Sequence, residues 1–189
     1  MAEQDNSEEK QGIFSTAKSH IISVITLNPI DLAQKPINLT HYLLVVVLYS
    51  IAIFTSYLIT LLIKLKLLKA VTHILLPTYP LIGCFTIIAL SFMGGYIYSI
   101  FLNNHSLKNY YLVLLASGYL PFVMILSTLI KDLAIVFYIC AGIASDYFLR
   151  RSLMYGKSFE RRLDRIYFVT ISMLMNVGAY WAIFPIFFM

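Results

Sequence analysis

Residues 110–149 form the most constraining stretch of the chain. They run from "YYLVLLASGYLPFVMILSTLI" through Lys131-Asp132 to "LAIVFYICAGIASDYFL", and only Lys131, Asp132 and Asp146 are charged. As one helix they would reach about 60 Å. That is about twice the hydrocarbon thickness of a bilayer. The stretch is therefore expected to be two membrane spans, 110–130 and 133–149, turning at Lys131-Asp132. The second would be short, about 25 Å, a mismatch that local thinning of the bilayer or snorkelling accommodates.

Composition extends this reading to the whole chain. Hydrophobic residues make up 60% of the 189 positions and charged residues 12%. A soluble domain carries roughly 25% charged residues, and this chain cannot clothe a soluble surface. The net charge of +5 does not point to nucleic acid. The basic residues fall in short clusters between apolar runs, with no basic domain, so topology signals account for them better.

The remaining spans follow from length. Residues 41–63 are apolar enough for a first span, 81–102 for a second and 166–188 for a fifth. Residues 64–73 read as a short interfacial loop, and Pro77 and Pro80 mark the start of the second span. Residues 103–109 and 150–165 are further loops. The class expected is an all-α, five-span membrane domain over 41–189.

Ahead of it, residues 1–12 read as a disordered acidic tail, with no aromatics and four acids in the first nine positions. No basic n-region of a cleavable signal peptide is visible, so the first span reads as a signal anchor. In 13–27, Phe14, Ala17, Ile21 and Ile25 recur at helical spacing. That helix is expected either to lie on the membrane or to pack against the bundle or a partner. Pro29 and Pro36 make 28–38 a linker, so 13–40 is an amphipathic helix plus a proline-containing connection.

With five spans the termini face opposite sides. The side of the N-terminal region, 103–109 and 150–165 holds ten Lys and Arg, and the other side holds Lys64, Lys66, Lys69 and Lys131. The excess predicts a cytoplasmic N-terminus and a lumenal or external C-terminus. The sequons at Asn38 and Asn104 should then stay unglycosylated.

Ionisable residues within spans are functional candidates by default. Asp146 is the main one. Arg150 follows at i+4, so a structural ion pair is the first expectation, and a proton- or substrate-coupling role the second. Asn176 in the fifth span is placed to bridge helices. The tyrosines at span ends look like interfacial belt residues, and Cys84 and Cys140 like small buried residues. Small residues such as Ser91 with Gly95 and Ala141 with Ser145 allow close helix packing. No histidine cluster, phosphate loop or nucleophile motif is present. Neither a catalytic site nor a cofactor or metal site is expected.

Three short elements resemble the Yip family, the Ypt/Rab-interacting membrane proteins. Asp31-Leu32 with Pro36 is similar to that family's Asp-Leu-aromatic-Gly-Pro element, though Ala33 and Gln34 stand in place of the aromatic residue and Gly. Gly118-Tyr119 with Pro121 is similar to its Gly-Tyr…Pro element, with shorter spacing. Ala144-Ser145 with Phe148, then Arg162-Leu163 and Tyr167, resemble the end of span four and the basic start of span five, without the usual following proline. The resemblance implies a non-catalytic trafficking adaptor of endoplasmic reticulum and Golgi membranes, binding Rab-type GTPases and other Yip-type proteins. It marks Asp31, Leu32, Gly118, Tyr119 and Pro121 as partner-binding candidates. The alternatives are a small transporter or channel subunit built on Asp146 and Asn176, or an accessory subunit of a membrane enzyme.

Overall fold

The structure, a computed structural model, describes residues 2–30, 37–66, 78–155 and 162–188, and every regular element among them is helical. In chain order these are α1 (Ala2–Ile25), α2 (Leu39–Lys66), α3 (Thr78–Phe101), α4 (Leu107–Ala116), α5 (Leu120–Leu129), α6 (Ala134–Leu153) and α7 (Arg162–Phe188). One-turn 3-10 segments, Ser117–Tyr119 and Lys131–Leu133, join α4 to α5 and α5 to α6. Among the described residues four stretches are long and apolar enough to cross a membrane: Leu39–Leu65, Pro80–Phe101, Leu107–Leu129 and Lys131–Leu153.

The α4–α5 stretch is the centre of the bundle. Every residue from Tyr111 to Ser117 is buried. Around it, α2 packs on α5, α3 on α4, and α6 on both α5 and α7. α2 shows how an apolar helix divides its surface. Tyr42, Val45, Tyr49, Ile53 and Ser56 face inward, while Leu43, Val47, Ile51, Phe54, Leu58 and Leu62 form an exposed stripe. Both sets recur at three- and four-residue steps, so both are helix faces. Without lipid the outer stripe would be a large unpartnered apolar surface; in a bilayer it meets its solvent.

The turn between α5 and α6 falls at Lys131-Asp132. The fourth stretch, however, is longer than 133–149. It continues to Leu153, because Arg150 and Arg151 extend α6 as its last turn, where cations complement the helix dipole. Its length removes the expected mismatch and places Asp146 seven residues, about 10 Å, inside the helix end.

Two further expectations change. α1 begins at Ala2, through the stretch read as a disordered tail. Cys140 is exposed and Cys84 half-buried. In a lipid-facing bundle an apolar side chain gains nothing by turning inward, so the usual rule for soluble cores fails for both.

Two helices end in the same motif. At the end of α1, Asn28 N–H bonds Ser23 O at 2.9 Å and Leu27 N–H bonds Val24 O at 3.1 Å. At the end of α3, Asn104 N–H bonds Ser99 O at 3.0 Å and Asn103 N–H bonds Ile100 O at 3.2 Å. These are Schellman closures, which require a left-handed residue at the turn. Leu27 (φ 57°) and Asn103 (φ 47°) supply it.

Candidate functional site

Two polar arrangements stand out in this apolar bundle. The first is built on the break in the central helix. Pro121 has no N–H to give, and the 3-10 turn at Ser117–Tyr119 interrupts the α-helical ladder. At the break Leu114 O and Leu115 O still accept backbone N–H groups while Leu120 N–H turns to Ser117 O, and hydroxyls of the packed helices add donors that hydrocarbon cannot. Tyr49 of α2 donates to Leu115 O at 3.0 Å, and Tyr180 of α7 reaches Ala116 O at 3.4 Å. Ser117 turns its own hydroxyl onto Leu114 O at 2.6 Å. Gly118 is required here, because a Cβ at that position would collide with the Tyr49 hydroxyl.

The same break seats α1. Tyr119 donates its hydroxyl to Val24 O, in the last turn of α1. One helical turn earlier, His20 Nδ1 lies 3.0 Å from Tyr111 Oη, with the two rings edge to face. Ala17, His20 and Val24 are buried, whereas Phe14, Ile22 and Ile25 remain exposed. Of the two expectations for this helix, packing against the bundle is the one the structure contains. Phe14 and Ile25, which share the helical spacing of Ala17 and Ile21, are exposed. Beyond the turn, Ile30 N–H donates to Ser152 Oγ of α6 at 3.1 Å. The N-terminal segment is thus pinned to three parts of the bundle.

The second arrangement centres on Asp146, which is 1% exposed. Arg150 Nε donates to Asp146 Oδ2 at 2.8 Å, and Ser172 Oγ donates to Asp146 Oδ1. Because the Ser172 proton is used there, Tyr98 must donate to Ser172 Oγ, at 2.6 Å. Asn176 Nδ2 in turn donates to Tyr98 Oη at 3.1 Å, and Ser145 donates to Asn176 Oδ1 at 3.3 Å. The donors form one ordered chain across α7 and α3 and back to α6, ending on the carboxylate. It closes because α6 and α7 approach tightly: a Cβ on Gly142 would lie 2.8 Å from the Val177 Cα. Arg150 keeps a partly exposed guanidinium at the helix end, so the pair is half solvated rather than sealed. A cavity of about 220 Å³ lies against this chain, lined in part by Tyr98, Ser117, Ser145 and Asn176.

The candidates from sequence therefore fall into two groups. Gly118, Tyr119 and Pro121 share the break, and Asp146, Arg150 and Asn176 share the network. Asp31 and Leu32 lie outside the described residues. Sequence reasoning missed the tyrosines. Tyr42, Tyr49, Tyr98, Tyr111, Tyr138 and Tyr180 are buried inside the bundle rather than set at its rims. Their hydroxyls supply donors that hydrocarbon cannot. Tyr42 follows the same rule: Ser91 donates to Tyr110 O at 2.9 Å, so Tyr42 donates to Ser91, at 2.8 Å. The available signal was their helical spacing toward the interior, as in Tyr42 and Tyr49.

Among the described residues no group of three or more His, Cys, Asp and Glu comes together to hold a metal ion. Compared with models of known protein families, with curated proteins and with solved structures, the chain finds no match.

Proposed function

We propose that this protein is a five-span membrane adaptor of the early secretory pathway that binds Rab-type GTPases and related membrane proteins, without catalysis of its own. α7 is its fifth span. The N-terminus faces the cytoplasm and the C-terminus the lumen of the endoplasmic reticulum or Golgi. One observation carries the reading. The Gly118–Pro121 element, which bears the family resemblance, is the place where the N-terminal helix is seated, through Tyr119 and Val24. An adaptor needs its cytoplasmic segment held in a set position on the membrane bundle, and this contact supplies one.

Affinity purification of the full chain in mild detergent tests it. Recovery of a Rab-type GTPase or a related multi-span protein is expected. Asp31→Ala with Leu32→Ala should lose that recovery while the protein stays monodisperse. Recovery of neither class of partner overturns the reading.

A second reading, a small transporter or channel subunit, is favoured by the cavity beside Tyr98, Ser145 and Asn176. It requires Asp146→Asn to abolish substrate or proton flux in proteoliposomes, and unchanged flux removes it.

A further inference from the structure

We propose that the trough between α2 and α5 binds one anionic phospholipid, with its phosphate between Lys64 and Lys131 and an acyl chain in the cavity beneath the end of α1. The bundle has a reason to need such a filler. α1 reaches the break in the central helix and stops there, closed by its Schellman turn. Beyond its end, α2 and α5 run on toward the opposite face with nothing laid over them from α1. A cavity of about 370 Å³ remains, lined by Val24 and Ile25 of α1, Tyr49 and Ala52 of α2, and Pro121 and Phe122 of the α5 region. A volume of this order holds part of a small-molecule ligand or a chain segment.

The lining fits hydrocarbon. Of its four hydroxyls, those of Tyr49, Thr55 and Tyr119 are already spent on backbone carbonyls of Leu115, Ile51 and Val24, and the fourth belongs to the buried Ser56. Its rim residues Ile25 and Phe122 are exposed and continuous with the outer apolar surface.

The far end of the trough fits a headgroup. From Ser56 at the cavity, α2 runs eight residues, about 12 Å, to Lys64. From Ile125, α5 runs to Lys131 in the turn beyond it. Lys64 and Lys131 lie close enough for their charges to repel, and Asp132 in the same turn is exposed. An anion between the two lysines relieves that repulsion. Between cavity and lysines lies Thr60, one turn beyond Ser56 on the same face of α2. Its hydroxyl is buried without a hydrogen-bond partner, unlike Thr55, which bonds back to Ile51 O at 2.8 Å. Chain and phosphate thus meet apolar wall and paired cations in the order in which a phospholipid presents them.

Photolabelling tests the proposal. The full chain is reconstituted into phosphatidylcholine vesicles doped with phosphatidylserine, which carries a diazirine halfway along one acyl chain. Label is expected to concentrate on Ile21–Ile25 and Gly118–Ile125. Lys64→Gln with Lys131→Gln should lower it on the order of tenfold, the effect of removing two lysines beside an anionic group. Ala52→Phe should fill the cavity and remove label from these two segments while sparing Leu81, Phe85 and Phe92 of α3. Even labelling over all exposed apolar positions, equal labelling by a phosphatidylcholine probe, or a folded double-glutamine variant that labels unchanged each overturns it. Should Ala52→Phe misfold, the lysine variants decide alone, because neither lysine is in the core.

Discussion

Gly118 shows how much one hydrogen atom in place of a methyl group controls. Any side chain there displaces the Tyr49 hydroxyl from Leu115 O, so Gly118→Ala acts on two residues at once. We expect it to cost about 2 kcal/mol, combining overpacking with loss of the Tyr49 hydrogen bond. Tyr49→Phe alone should cost about 1 kcal/mol, within the range of hydrogen bonds between membrane helices. In a double-mutant cycle followed by reversible unfolding in mixed micelles, the two should be clearly non-additive, since the first already breaks the bond removed by the second. At Asp146 the two halves of the ion pair are unequal. Arg150→Met leaves a carboxylate that is 1% exposed without its cation, which should cost about 3 kcal/mol. Asp146→Asn leaves Arg150 near the helix end, where it can reach the interface, and keeps an acceptor for Ser172. It should cost less than half as much by the same assay, and equal costs would show that the pair is not oriented this way.

At the scale of elements, the closures and crossings make separate claims. Asn103 is exposed and left-handed. Asn103→Gly should therefore stabilise by about 0.5 kcal/mol, and Asn103→Val should destabilise by about 1 kcal/mol, as thermal aggregation midpoints would record. Gly142→Val sets a side chain against the α7 backbone, which cannot give way as a side chain could. A loss of about 2–3 kcal/mol is expected, with Ser145 and Asn176 parted. The elements were unequally legible in the sequence. The α5–α6 turn could be read because Lys131 and Asp132 are a charged pair in an otherwise apolar run. The position of α1 could not, because a bilayer and a protein groove accept the same amphipathic face. Phe14 and Ile25 look identical to Ile21 and Val24 until a neighbour is present. The tyrosines were misread for a related reason. Whether a phenol sits at a rim or within a bundle depends on which acceptors the neighbouring helices present to it, and the break at Ser117–Tyr119, beside which Leu115 O and Ala116 O meet Tyr49 and Tyr180, is itself a tertiary feature.

For the molecule as a whole, the apolar stripe of α2 and the buried central helix together describe a bundle whose outside is as apolar as its inside. Membrane insertion is the part that composition alone carried, while its direction rests on the distribution of lysine and arginine. Asn104 offers a check on direction. It lies in the exposed turn between α3 and α4, so its modification reports sidedness rather than burial. In a chain with Cys84 and Cys140 replaced by serine, Asn104→Cys in sealed cells should react with an impermeant maleimide only after the plasma membrane is opened. Labelling of sealed organelles should match that of lysed ones, and protection inside the organelle would reverse the topology.

The break in the central helix also has a rotational consequence. A 3-10 turn advances about 120° per residue where an α-helix advances about 100°. Three residues of it therefore swing everything downstream by about 60° relative to an unbroken helix. The half before the break is enclosed on all sides, whereas the half after it turns Phe122, Leu126 and Leu129 outward. The segment behaves as two gears on one shaft, set out of phase by Ser117–Tyr119. A variant that restores a continuous α-helix there would keep every residue after the break and still present the wrong teeth to α2 and α6.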